Sequence, residues 1–224
     1  EIDTLLLGMD GSAILPLREK YAAIGTAVRE LYELASMLRR ERHARGGIDY
    51  EPLCMDFERI DEHGTVSVGM TPTYDAGLLV RELLIAAGAA VGRHFSENGL
   101  PMLYTAFADP RKALLDHLET LEGLLPGLPL REHGEILRRV TEAAANHPVE
   151  DAVLYLLRRI LPAARYVRTP APHHLHAVDA FVSFANPAGR YADLLVQRAI
   201  KNSIRYGAAV ANDSRLDEKL RDAA

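Results

Sequence analysis

The sequence predicts an α+β fold rich in helix, and three observations predict it. Residues 21–38 and 75–99 repeat apolar side chains at steps of three and four, the signature of long amphipathic helices. Between them, residues 48–60 and 65–70 flank Asp61, Glu62, His63 and Gly64, and Val66, Val68 and Met70 alternate, so this part reads as a β-hairpin. Residues 177–184, AVDAFVSF, are apolar enough for a buried strand and lead into a helix-start signal that carries an arginine.

Taken in order, residues 2–15 read as a short helix followed by a loop at Asp10, Gly11 and Ser12. The first long helix presents Tyr21, Ile24, Val28, Leu31, Leu34, Ala35 and Leu38 on one face, and Gly46 and Gly47 stop it. Its end is basic, with Arg39, Arg40, Arg42, His43 and Arg45, which fits a solvated last turn complementing the helix dipole. After the hairpin, Asp75 begins a helix with Leu79, Leu83, Ala87, Ala90 and Val91 on its core side and Gly99 and Pro101 as its stop. Asp109 caps and Pro110 opens a helix running to Glu122, and the loop LLPGLPL follows. Two amphipathic helices over 132–146 and 150–161 come next, then a basic run of Arg158, Arg159, Arg165 and Arg168 that reads as a solvated face. His173, His174 and His176 are adjacent in a loop and lack the one-face spacing of a helical zinc pair. Residues 207–224 form a charged tail, either a short helix or frayed.

The stretch FANPAGRYADLLVQRAI, residues 184–200, holds the strongest helix start in the chain. Asn186 is a good N-cap, Pro187 suits the first helical position, and Tyr191, Leu194, Leu195, Val196 and Ile200 continue at helical spacing. A helix N-terminus offers unpaired N–H groups and the positive end of its dipole, so Arg190 beside it and Arg198 further along suit a phosphate.

Composition narrows the classes. A chain of 224 residues, 48% apolar and 25% charged, is ordinary for a globular protein, and a net charge of −5 argues against wrapping in nucleic acid over the whole surface. One cysteine, Cys54, rules out an internal disulfide and fits a reducing cytoplasm, and no apolar run approaches the roughly eighteen residues of a membrane span. No signal peptide is evident, and Glu1 in place of an initiator methionine suggests a fragment or processed product. Signatures for a serine hydrolase, a P-loop or a dinucleotide fold are absent.

Residues 184–200 resemble the HFTSPIRRYADLVVHR signature of the ribonuclease II and ribonuclease R family of 3′-to-5′ exoribonucleases, the RNB family, with Pro187, Arg190, Tyr191, Asp193, Leu194 and Arg198 in register. Other segments resemble the family in the same order: Arg45, Gly46, Gly47, Ile48, Asp49 and Glu51, then Asp75, Ala76 and Glu82, then Gly99, Leu100, Pro101, Leu103 and Tyr104. The chain departs from the pattern at Gly77, Gly88, Thr105 and Phe107, where the family has histidine, asparagine, arginine and histidine, and at Gly189, where it has the arginine that meets the phosphate being cleaved.

The resemblance implies the helix-rich C-terminal half of an RNB-type catalytic domain over residues 1–206, magnesium-dependent hydrolysis of single-stranded RNA, and RNA contacts at Asn186, Arg190, Tyr191, Arg198, Tyr104 and Glu82. It implies a partner as well: either the missing first half of the domain, which carries the aspartates for magnesium, or another protein. The family's D-x5-D-x-DD cluster has no counterpart here, since Asp56, Glu58, Asp61 and Glu62 are the nearest approach and read as hairpin surface. A catalytically silent RNA-binding or protein-interaction module is the competing expectation. It rests on the departures at Gly77, Thr105, Phe107 and Gly189.

Overall fold

The computed structural model describes residues 19–49, 55–60, 66–70, 75–128, 136–145, 147–207 and 214–223. The helix expected over 2–15, Glu51, the hairpin turn at 61–64 and the side chains of the hairpin strands lie outside the described residues. The elements are α1 (Ala22–Ala44), β1 (Met55–Ile60), β2 (Val66–Met70), α2 (Asp75–Glu97), β3 (Tyr104–Ala106), α3 (Arg111–Asp116), α4 (Leu118–Leu124), α5 (Ile136–Ala144), α6 (Glu150–Ile160), β4 (Arg165–Val167), a 3₁₀ turn (His174–His176), α7 (Tyr191–Tyr206) and α8 (Ser214–Asp222). None of the described helices is long and apolar enough to cross a membrane.

The chain divides into two compact units, Glu1–Glu41 with Leu53–Leu84 and Arg42–Pro52 with Ile85–Ala224, so α1 and α2 each contribute to both. In the first unit β1 and β2 pair antiparallel with Met55 opposite Met70 and Ile60 opposite Val66, and the register slips between Phe57 and Arg59. The apolar stripe of α1 forms as its spacing dictates, yet only Ala35 on it is fully buried, while Ile24 at 49%, Leu31 at 42% and Leu34 at 44% remain exposed.

The second unit is built on two apolar clusters. One gathers Phe95 of α2, Met102, Leu103, Tyr104, Val182, Leu195, Val196 and Ala199 of α7, and Leu220 of α8. The other is helical, with Leu114, Leu118, Leu121, Leu137, Val140, Val153 and Leu157 drawn from α3 to α6. Burying each such leucine or valine is worth about 1.5–3 kcal/mol before ordering entropy. Strands β3 and β4 pair antiparallel, Tyr104 opposite Val167 and Ala106 opposite Arg165, a pairing the sequence did not announce because each strand is only three residues long.

Several expectations need correction. Residues 177–184 are not a strand: Val178 makes one isolated bridge to His173, and Phe181 and Val182 lie buried in extended coil. Glycines let this coil settle on α2, since a Cβ at Gly88 would lie 2.5 Å from the Phe181 ring and 2.5 Å from the Val182 carbonyl oxygen, and one at Gly92 would lie 2.8 Å from the Ala180 carbonyl oxygen. Leu79 is buried as expected, and beyond it the buried side of α2 runs through Ile85, Gly88, Gly92 and Phe95, with Ala90 exposed. The helix expected to run to Glu122 breaks at His117 into α3 and α4. The basic end of α1 is not wholly solvated. Arg42 is 2% exposed, donates to the Ile48 carbonyl oxygen at 3.1 Å and pairs with Asp49, which also meets His43 Nε2 at 3.1 Å. Gly46 permits that return of the chain with φ of 91°. The charged tail is held as well, because Leu220 of α8 is fully buried.

Candidate functional site

The helix expected to start at Asn186 starts four residues later. Tyr191 is its first residue, and Arg190 occupies the N-cap position with extended backbone, φ −136° and ψ 116°, and no side-chain cap. Asn186 instead heads a separate turn. Its carbonyl oxygen accepts the amides of Gly189 at 3.2 Å and Arg190 at 2.9 Å, and its side-chain Oδ1 accepts the Gly189 amide at 3.0 Å. The Asn-Pro pair does here what it would do at a helix start, with the chain opened again at Arg190.

The group that holds the two pieces together is Asp193. It lies in the first turn of α7, where the helix dipole favours a carboxylate, and is 0% exposed. Its Oδ2 accepts the Asn186 amide at 2.9 Å, an Arg190 guanidinium N–H at 2.8 Å and the Ser183 hydroxyl at 3.3 Å. Its Oδ1 has no partner among the described residues. Gln197 adds a bond from Nε2 to the Phe184 carbonyl oxygen at 2.8 Å. Sequence reading matched Asp193 to a motif without giving it a role. An acid in the first turn of a capped helix was the available signal.

Arg190 is consequently tethered by one nitrogen, its other nitrogens have no partner among the described residues, and its side chain is 47% exposed. Tyr191 is 59% exposed beside it, and Arg198 is exposed further along the same helix. Asn186 is also exposed. The turn and helix thus bring Asn186, Arg190, Tyr191 and Arg198 together on one accessible element. Tyr104 and Glu82 do not join them. Tyr104 is 2% exposed inside the first apolar cluster, where burial raises its phenol above the usual range, and it has no ring face open to a base. Glu82 is 1% exposed in the first unit, with Arg81 Nε at 3.6 Å. Phe107 is buried too, and Tyr166 and Phe184 are partly buried against the first cluster.

His173 and His176 are interior packing groups, and His174 is exposed. His173 is 5% exposed and stacks on His176 at 3.9 Å with an interplanar angle of 9°, and Phe181 meets both rings edge-on at 5.1 and 4.8 Å. Burial pushes His173 down to about 4, so it is neutral near pH 7. No group of three or more metal-ligating side chains occurs among the described residues. Magnesium asks for about six oxygens, and Asp193 offers one while its other oxygen is saturated by donors that include a guanidinium. The described residues therefore do not fit magnesium.

A cleft of about 250 Å³ lies elsewhere in the second unit, lined by Ile48, Arg111, Leu114, Leu137, Arg138 and His174 among others. At its edge Asp109 Oδ2 accepts from Arg111 Nε at 2.6 Å, and this bond holds the Asp109 carboxyl below the usual range. It shares no lining residue with the Arg190 turn.

The helix-rich α+β fold is that of the RNB-type domains. The RNB domain model matches residues 13–206, and the chain belongs to this family. It is 29% identical over 195 residues to ribonuclease R of Thermotoga maritima, covering 82% of this chain and 26% of that protein. Ribonuclease R of Escherichia coli is 28% identical over 193 residues, covering 83% of this chain and 23% of that one. Among solved structures, the apo form of Mycoplasma genitalium RNase R superposes with a TM-score of 0.73 at 20% identity, covering 88% of this chain and 32% of that chain. The same protein in complex with ribose-methylated single-stranded RNA gives 0.70. The chain therefore spans about a quarter of the length of the relatives it matches.

Proposed function

We propose that this chain supplies RNA-phosphate contacts to an RNB-type 3′-to-5′ exoribonuclease that hydrolyses single-stranded RNA with magnesium held by residues outside this chain. In this reading residues 1–206 are the C-terminal half of the catalytic domain, 207–224 a charged tail, the missing half or another protein is the partner, and the setting is cytoplasmic. The observation that carries it is the Arg190 turn: a half-exposed guanidinium held at a helix N-terminus by a buried carboxylate, with the exposed Tyr191 ring beside it. Asn186, Tyr191 and Arg198 complete the contact surface.

Arg190 contributes binding and orientation: its free N–H groups meet a phosphate oxygen while Asp193 fixes their direction. Magnesium, when bound by the rest of such an enzyme, would supply the activated hydroxide and steady the leaving oxygen. Arg190→Ala lowers affinity for an oligouridylate and flattens the salt dependence by about 0.7 in log–log slope, one phosphate's worth. Unchanged affinity and slope, measured by fluorescence anisotropy, would sink this reading.

One observation favours a second reading, a silent RNA-binding module: Gly189 brings no cation to the position beside Arg190. The two readings separate when the chain is combined with an aspartate-bearing first half. Release of mononucleotides with magnesium supports the nuclease, and binding without release supports the module.

A further inference from the structure

Gly189 is not where the backbone demands glycine. Its φ lies outside the left-handed range, so an L side chain is allowed there by conformation. What stands in its way is the Asn186 side chain. A Cβ at position 189 would lie 2.7 Å from Asn186 Nδ2 and 2.9 Å from Oδ1, closer than Cβ contacts come, and a tight 3.1 Å from Cγ, so the exposed Asn186 carboxamide must turn away to admit it. The Asn186 carboxamide occupies the space through which a residue-189 side chain would leave the turn, and it is anchored there by the Gly189 amide on Oδ1 at 3.0 Å.

We infer that Asn186 and Gly189 are a coupled specificity pair: the Asn186 carboxamide takes the place of a side chain at 189, so the turn offers a neutral amide N–H beside Arg190 instead of a further cation. Asn186 is an exposed residue, and its Nδ2 has no hydrogen bond among the described residues, which leaves that donor for a ligand. One guanidinium and one neutral donor suit a singly charged phosphodiester within a strand better than the doubly charged monoester at a strand end, because the monoester leaves a full charge uncompensated. This inference rests on the RNA-phosphate reading of the Arg190 turn.

The alternative side chains are those of the resembling motif, serine at 186 and arginine at 189. Arginine at 189 alone must displace the Asn186 amide and break its bond to the residue-189 amide. Serine at 186 removes the obstacle.

The test is a four-protein cycle of the native chain, Asn186→Ser, Gly189→Arg and the double variant. It is read by thermal unfolding and by the salt dependence of binding to internal-phosphate oligouridylates with a 3′-hydroxyl or a 3′-phosphate. Gly189→Arg alone lowers Tm by about 2–4 °C. The double variant recovers Tm, steepens the salt slope by about 0.7, and gains about tenfold more for the 3′-phosphate than for the 3′-hydroxyl strand. Additive effects, with Gly189→Arg alone matching the double variant in slope and Tm, overturn the coupling. Arg190→Ala in the native and double backgrounds separates the two failures. If it leaves binding unchanged in both, the RNA reading has failed, and the Tm cycle still decides whether the pair is coupled.

Discussion

Replacing Asp193 with asparagine isolates the latch that joins the Asn186 turn to α7. Asparagine has the same shape and keeps one carbonyl oxygen, so the bonds from the Asn186 amide and the Ser183 hydroxyl survive in neutral form. What disappears is the charge. Bonds to a charged acceptor contribute about 1.5–3 kcal/mol against about 0.5–1.5 for neutral ones, so the short Asn186 bond loses about 1 kcal/mol. The Arg190 bond loses its ionic part too, discounted because a side chain 47% exposed turns to water. The sum is about 2 kcal/mol, which for a domain of this size lowers Tm by about 4–8 °C. Asp193→Ala removes the acceptor for all three donors and leaves the Asn186 amide unpaired, so its loss is about 4 kcal/mol. Binding follows, because an untethered Arg190 must be ordered by the RNA at a cost of about 0.5–1.5 kcal/mol, roughly a twofold to tenfold-or-more drop in affinity. Circular dichroism melts and anisotropy titrations below Tm measure both. An asparagine variant that melts and binds like the native chain refutes the latch.

Two further outcomes follow from the interior. Gly88→Ala drives a methyl into the Phe181 ring and the Val182 carbonyl, so it destabilises by about 1–3 kcal/mol in urea unfolding, and a neutral result means the coil does not press on α2 as described. His173 is held at about 4 against an ordinary 6.5, so the unfolded chain takes up a proton first as pH falls. Stability is therefore fully present above pH 6.5 and lost by about 3 kcal/mol on the way down to pH 4. His173→Phe flattens that slope, and an unaltered acid transition contradicts the assignment.

The long helices were legible because their periodicity is a property of many residues at once. Apolar steps in α1 and α2, and the stop at Gly46, need no tertiary information. What sequence reading missed depends on single distant partners. Arg42 looked like one of several solvated cations until Asp49 and the Ile48 carbonyl oxygen were placed beside it. The start of α7 was misplaced for the same reason: the Asn-Pro signal is local, whereas the reopening of the chain at Arg190 is tied to a carboxylate bonding back to the amide of Asn186. Tyr104 shows the converse: the resemblance implies an RNA contact there, and the side chain fills the core.

The departures from the family pattern take on a different meaning once placed. At Gly88, Thr105 and Phe107 the loss of polar groups suggested a surface that had stopped facing RNA. All three are buried against one segment, residues 173–182. Gly88 receives the Phe181 ring and accepts the Val182 amide on its carbonyl oxygen at 3.3 Å. The Thr105 amide donates to the Phe181 carbonyl oxygen at 2.8 Å, and the Phe107 ring packs on His173 with centroids 5.6 Å apart. A longer polar side chain at any of them would meet this coil, so the three changes form one repacked interior and do not count as independent losses of RNA contact. Gly77 is exposed, with nothing within 4 Å of an added Cβ, and Gly189 is exposed and answered by Asn186. The case for a silent module thus rests on fewer positions than the sequence suggested, and Gly189 is the one that lies beside the proposed phosphate site.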